Sequence, residues 1–65
     1  MTNDELKAAL FSGCPVEHGG IVYKCVSAII YRCKNGELVI SAELTDKNNN
    51  SVSIVEPSRV TEVNI

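Results

Sequence analysis

The chain has no tryptophan, only three other aromatic residues (Phe11, Tyr23 and Tyr31) and no excess of positive charge. Six basic residues against eight acidic ones leave a formal net charge of −2. Nucleic-acid binders usually carry a basic surplus that neutralises phosphates, so nucleic acid is not the expected partner. No apolar run is long enough to cross a bilayer as a helix. The opening Met1-Thr2-Asn3-Asp4-Glu5 is polar and acidic, the opposite of a secretion signal. Three cysteines, an odd number, leave at least one unpaired in any intrachain scheme. These absences lead to the expectation of a cytoplasmic protein with reduced thiols and no membrane segment.

What is present is a globular balance: 45% hydrophobic and 22% charged residues in a chain of 65. That length holds one domain, residues 1–65, and a domain of this size buries only about 60% of the surface its unfolded chain exposes. Residues 2–12 read as a helix. Thr2 and Glu5 have the spacing of a capping box, in which each side chain reaches the other's backbone N–H. Leu6, Ala9 and Leu10 fall on one stripe, and Ser12-Gly13 and Pro15 end the pattern. An isolated helix this short would not persist in water, so the stripe must dock.

Residues 14–65 read as strands. Gly19-Gly20 and Asn35-Gly36 supply the positive-φ pairs that two-residue hairpins need. With Asn35-Gly36 as the turn, Lys34 faces Glu37, Cys33 faces Leu38, Tyr31 faces Ile40, Ile29 faces Ala42 and Ser27 faces Leu44. The odd-numbered positions of the first strand and their partners are mostly apolar and form the expected core face. Ala28, Ile30, Arg32, Lys34, Glu37, Val39, Ser41 and Glu43 then form the outer face. The Gly19-Gly20 turn sets His18 against Ile21, Val16 against Tyr23 and Cys14 against Cys25. A third turn at Lys47-Asn48-Asn49 would place Val52 and Ile54 opposite Leu44 and Ala42, on the core side. Glu56-Pro57-Ser58-Arg59 breaks the pattern before a last short strand from Val60.

A helix, five short antiparallel strands with a long second one, and Val55-Glu56-Pro57-Ser58-Arg59-Val60 before the last strand resemble an SH3-like small barrel. The resemblance implies a mainly β, α+β fold: an N-terminal helix followed by a five-stranded antiparallel barrel. The ligand-binding aromatics of SH3 domains are absent, so recognition of proline-rich peptides is not carried over. The stretches Gly13-Cys14-Pro15-Val16, Ala28-Ile29-Ile30-Tyr31-Arg32, Ser41-Ala42-Glu43-Leu44 and Asn50-Ser51-Val52 resemble short phage and prophage proteins of Firmicutes. That resemblance implies a phage accessory protein, with the host cytoplasm as its setting, and no particular chemistry.

Catalytic constellations are missing. His18 is the only histidine, and Glu17 beside it points to the other face of a strand. No nucleophile–base pair, paired-carboxylate site or phosphate-binding glycine loop can be assembled, so no enzyme and no cofactor are expected. Cys14, His18, Cys25 and Cys33 have the composition of a zinc site but no C-x2-C knuckle. On a straight strand Cys25 and Cys33 lie roughly 26 Å apart. Free cysteines serving as small core hydrophobes are the favoured reading, with zinc binding as an alternative and a nucleotide sponge at a dimer cleft as another. Lys24, Arg32 and Lys34 form a stripe on the outer face that Glu37 and Glu43 partly neutralise.

Val22, Val26, Ala28, Ile30 and Val39 add an apolar stripe on the same outer side, for which the helix is the natural cover. Should the helix lie elsewhere, Ile30 and Val39 offer an interface for a partner or a second copy. The expectation is thus a non-enzymatic protein-binding module, its binding residues Ile30, Arg32, Val39, Glu37 and Glu43, its partner a host or phage protein. Inhibition of a bacterial defence system, in the manner of anti-CRISPR proteins, would suit a small acidic phage product. The carboxylates Glu17, Glu37, Glu43, Glu56 and Glu62 could then compete for a basic channel.

Overall fold

A computed structural model describes residues 1–63. In chain order it comprises α1 (Asn3–Ser12), β1 (Val16–His18), β2 (Ile21–Tyr23), β3 (Cys25–Lys34), β4 (Glu37–Thr45), β5 (Val52–Val55), the single-turn 3-10 helix η1 (Pro57–Arg59) and β6 (Thr61–Glu62). The strands form two three-stranded sheets, ordered β2-β1-β6 and β3-β4-β5, and every pairing is antiparallel. The α+β class expected from the sequence is present. A closed five-stranded barrel is not: among the described residues there are six strands in two open sheets. The division falls at Lys24, where the long second strand bends out of its first ladder. Its N–H donates instead to the Thr45 carbonyl at 2.9 Å.

Helix α1 starts as its sequence dictates. Thr2 Oγ1 accepts from the Glu5 N–H at 3.2 Å and Glu5 Oε1 accepts from the Thr2 N–H at 2.8 Å, closing the capping box. Gly13 ends it in the left-handed region, φ 69°, with its N–H donating to the Ala9 carbonyl. Leu6 and Ala9 are buried together with Val16, Val26, Ala42, Leu44 and Val60. Met1, Leu10, Cys14, Tyr23, Ile29 and Val55 pack around that cluster. The Met1 ammonium donates to the carbonyl oxygens of Pro57 and Val60, at 2.8 and 2.9 Å.

The core corrects the expected face assignment at one end of β3. Val26, expected outside, is 2% exposed and pairs with Leu44, whereas Ser27, expected opposite Leu44, is the extra residue of a β-bulge between Val26 and Ala28. A bulge flips the alternation. Beyond it, Ile29 faces Ala42, Tyr31 faces Ile40 and Cys33 faces Leu38 as the Asn35-Gly36 turn requires. Both turn residues have positive φ, 52° and 79°.

Two further expectations fail at the far ends of the sheet. Thr45 pairs with Val52 and Ala42 with Val55, one residue out of step with the register expected from an Asn48-centred turn. Val52 and Ile54 therefore point away from the core, each 53% exposed, while Val55 packs against it. At the other end, Tyr31 and Leu38 lie on the expected core side but are 49% and 66% exposed, and Cys33 is exposed as well. The molecule is 39 Å long against 24 and 21 Å in its other dimensions. The β3–β4 hairpin is long enough to reach past the helix, so its tip has no core beneath it.

Candidate functional site

The helix docks on the side of the β3-β4-β5 sheet that carries Ala42 and Leu44, joining Leu6 and Ala9 to the same cluster. It therefore does not cover the outer stripe, as the sequence led one to expect. That outer face is built in rows across the strands. From the hairpin tip inward, the rows are Lys34–Glu37, Arg32–Val39, Ile30–Ser41 and Ala28–Glu43–Ile54, with Thr45–Val52 at the base. All five expected binding residues, Ile30, Arg32, Val39, Glu37 and Glu43, share this face. Val39 is 41% exposed, and Ile30 is half-buried by its neighbours.

The face is amphipathic along its length. Arg32 and Lys34 bring positive charge to the tip. The middle is aliphatic, and Glu43 lies toward the base. A shallow hollow lies among Arg32, Cys33, Lys34, Val39, Ser41 and Ile54. Ile54 and Val52 were missed by the sequence reading because the loop before them gives no register. Its geometry, with the Asp46 N–H donating to the Ser51 carbonyl and the Asn49 N–H to the Asp46 carbonyl, encloses four residues rather than three. The Lys47-Asn48-Asn49-Asn50 run offers several places for the positive φ that Asn49 takes.

The charged residues do not form one acidic surface. Glu43 is half-buried and accepts a hydrogen bond from Ser27 Oγ at 2.9 Å. Glu37 flanks the turn opposite Lys34. Glu56 approaches Arg59 at 4.0 Å, and Glu17 and Glu62 belong to the other sheet. The basic stripe is likewise shorter than expected, since Lys24 sits at the bend and its Nζ donates to Asn49 Oδ1 at 3.1 Å. Glu5, on the helix, is remote from the face. Its carboxyl is held below the ordinary glutamate range by the Thr2 N–H and hydroxyl that bind it.

The cysteines and histidine are not brought together. Cys25 pairs with Thr45 rather than with Cys14, and all three cysteines are free thiols. The bulge at Ser27 turns Cys25 and Cys33 to opposite faces of the sheet. His18 lies opposite Ile21 in the other sheet. Among the described residues, no three His, Cys, Asp or Glu side chains cluster as a metal site would require. Comparison with protein-family models, curated proteins and solved structures finds no match for the chain.

Proposed function

We propose that the chain is a non-enzymatic binding module and that the outer face of the β3-β4-β5 sheet contacts another protein. One observation carries this reading: the helix that could have covered the face is committed to the other side. Ile30, Val39, Val52 and Ile54 are left on an open sheet surface that also carries Arg32 and Lys34 toward its tip and Glu43 toward its base. Scattered apolar residues are ordinary on a protein surface, but an aligned group on one sheet with a polar rim suits an interface. The strand that bends at Lys24 and the single 3-10 turn before the last strand support an open variant of the SH3-like architecture, put to use away from the peptide groove of SH3 domains. The resemblance to phage and prophage proteins extends the proposal to a bacterial host partner and to interference with a defence system. Because Glu43 is held by Ser27 and the other carboxylates are spread over the hairpin turn and both sheets, the aliphatic rows, rather than a mimic of nucleic-acid charge, are the contact surface.

The test is retention of partners from a bacterial lysate by immobilised wild type, Val39→Glu, Ile54→Glu and, as a control, Phe11→Ser. Phe11 is 88% exposed and belongs to the helix. A protein held by wild type and control but lost by both face variants supports the reading. Retention unchanged by the face variants sinks it.

A further inference from the structure

The β3-β4-β5 sheet ends on one side in β3, which bonds to β4 and to no other strand among the described residues. Natural sheets shield such edges with short strands, proline, inward charges or bulges. The opposite edge has that protection: β5 is four residues long and is followed by Glu56-Pro57. Along β3 the interruptions are the bulge at Ser27 and the cations Arg32 and Lys34 near its end. Helix α1 packs against the strand from the core side, with the Tyr31 hydroxyl donating to Asn3 Oδ1 at 3.5 Å, while the strand's outer main-chain groups pair with no other strand among the described residues. From Ala28 to Lys34 the edge is regular and free of proline, and its apolar residues sit on both faces.

We propose that this edge pairs with the same edge of a second copy, joining two sheets into one six-stranded antiparallel sheet. The inference is independent of what the outer face binds, although it would double that face. The limits of the free segment fix the register. The bulge ends it at Ala28 and the Asn35-Gly36 turn ends it at Lys34, so full overlap about a two-fold axis centres on Tyr31. Tyr31 then meets Tyr31 of the second copy, Ile30 meets Arg32, Ile29 meets Cys33 and Ala28 meets Lys34.

This register also matches charge. Both cations of β3 lie at its C-terminal end, so antiparallel pairing separates those of the two copies. Each Lys34 comes beside Ala28 of the other copy, whose neighbour across the β3–β4 ladder is Glu43. The small alanine leaves room for the lysine to reach that carboxylate. On the other face, two half-exposed tyrosines gain an aromatic cross-strand neighbour, the type of pair that stabilises antiparallel ladders.

Sedimentation of the reduced full chain tests the association, and oxidation tests its register. Wild type is expected to sediment as a dimer, and Tyr31→Lys, which sets two ammonium groups face to face, as a folded monomer by circular dichroism. Under mild oxidation Tyr31→Cys should form a covalent dimer through residue 31 at least tenfold faster than wild type forms one through its own exposed Cys33. In the proposed register the two copies of Cys33 face Ile29 and not each other. A wild type that stays monomeric at every concentration overturns the proposal. So does a dimer in which the native thiol of Cys33 and the thiol introduced by Tyr31→Cys cross-link equally fast, a comparison that stands even where Tyr31→Lys fails to fold. Val39→Glu, which lies off the edge, should remain a dimer, separating failure of this inference from failure of the face reading.

Discussion

Ser27 Oγ shares its proton between the carboxylate and the main-chain carbonyl of Glu43, at 2.9 and 3.2 Å, and thereby pins the bulge that reverses the faces of β3. The pin lies at the surface, but it marks where Val26 changes from an expected outer residue to a core one.

Removing the pin should loosen the bulge without shifting the strand. Ser27→Ala deletes both contacts, and an exposed hydrogen bond of this kind contributes about 1 kcal/mol. The register survives because Val26 and Ile29 remain anchored in the core. Urea unfolding should show a lower midpoint, and amide-to-amide NMR contacts across β3 and β4 should be unchanged.

Leu44 and Leu38 test which part of the expected core face is a core. Leu44 is fully buried and Leu38 is 66% exposed. Leu44→Ala should cost about 2–5 kcal/mol, a large share of the roughly 3–10 kcal/mol available to a domain of this length. Leu38→Ala should stay within about 0.5 kcal/mol of wild type. Thermal melts of the two variants make the comparison, and equal losses would contradict the extended hairpin tip.

The β4–β5 register makes an equally direct prediction. Ile54→Thr should leave stability nearly unchanged, whereas Val55→Ala, which opens space against Ala42, should destabilise by about 1–3 kcal/mol. Chemical denaturation that reversed this order would restore the register in which Ile54 faces the core.

The capping box gives a pH dependence. The Glu5 carboxyl lies below its ordinary value because the Thr2 N–H and hydroxyl favour the charged form. A carboxyl depressed on folding lends stability that is complete above its unfolded pKa and is lost as pH falls through the folded one. The helix start should therefore hold at neutral pH and weaken below about pH 4. Glu5→Gln should remove that part of the acid-side slope, as read from melts across the acidic range. An identical slope in the variant would show that Glu5 does not supply it.

Much of this was legible in the sequence where chemistry is local. Thr2 and Glu5 specify the helix start, Asn35-Gly36 fixes the tip of the long hairpin, and Gly19-Gly20 fixes the pairing of His18 with Ile21. The remainder depended on events that side-chain type does not mark. Ser27 is an ordinary polar residue that occupies the bulge. The asparagine run before β5 permits several registers, which is why Ile54 and Val52 were placed inside. Which side of the sheet the helix would take was decided by the small residue Ala42 and by Val26, whose inward turn depends on that same bulge. The five candidate binding residues could be grouped on one face from turn geometry alone, because all of them follow the bulge.

The inward residues Tyr23, Val26 and Ile29 are each three positions apart, where an uninterrupted strand would space them by two. The bend at Lys24 and the bulge at Ser27 are thus two frame errors that cancel. Loss or gain of a single codon between Tyr23 and Ile29 would leave one error uncorrected and turn the hairpin inside out relative to the helix. Loss of two, one from each irregularity, would restore the frame. Length variation in this segment should therefore be tolerated in even steps, while the asparagine loop, outside any such frame, should accept steps of one.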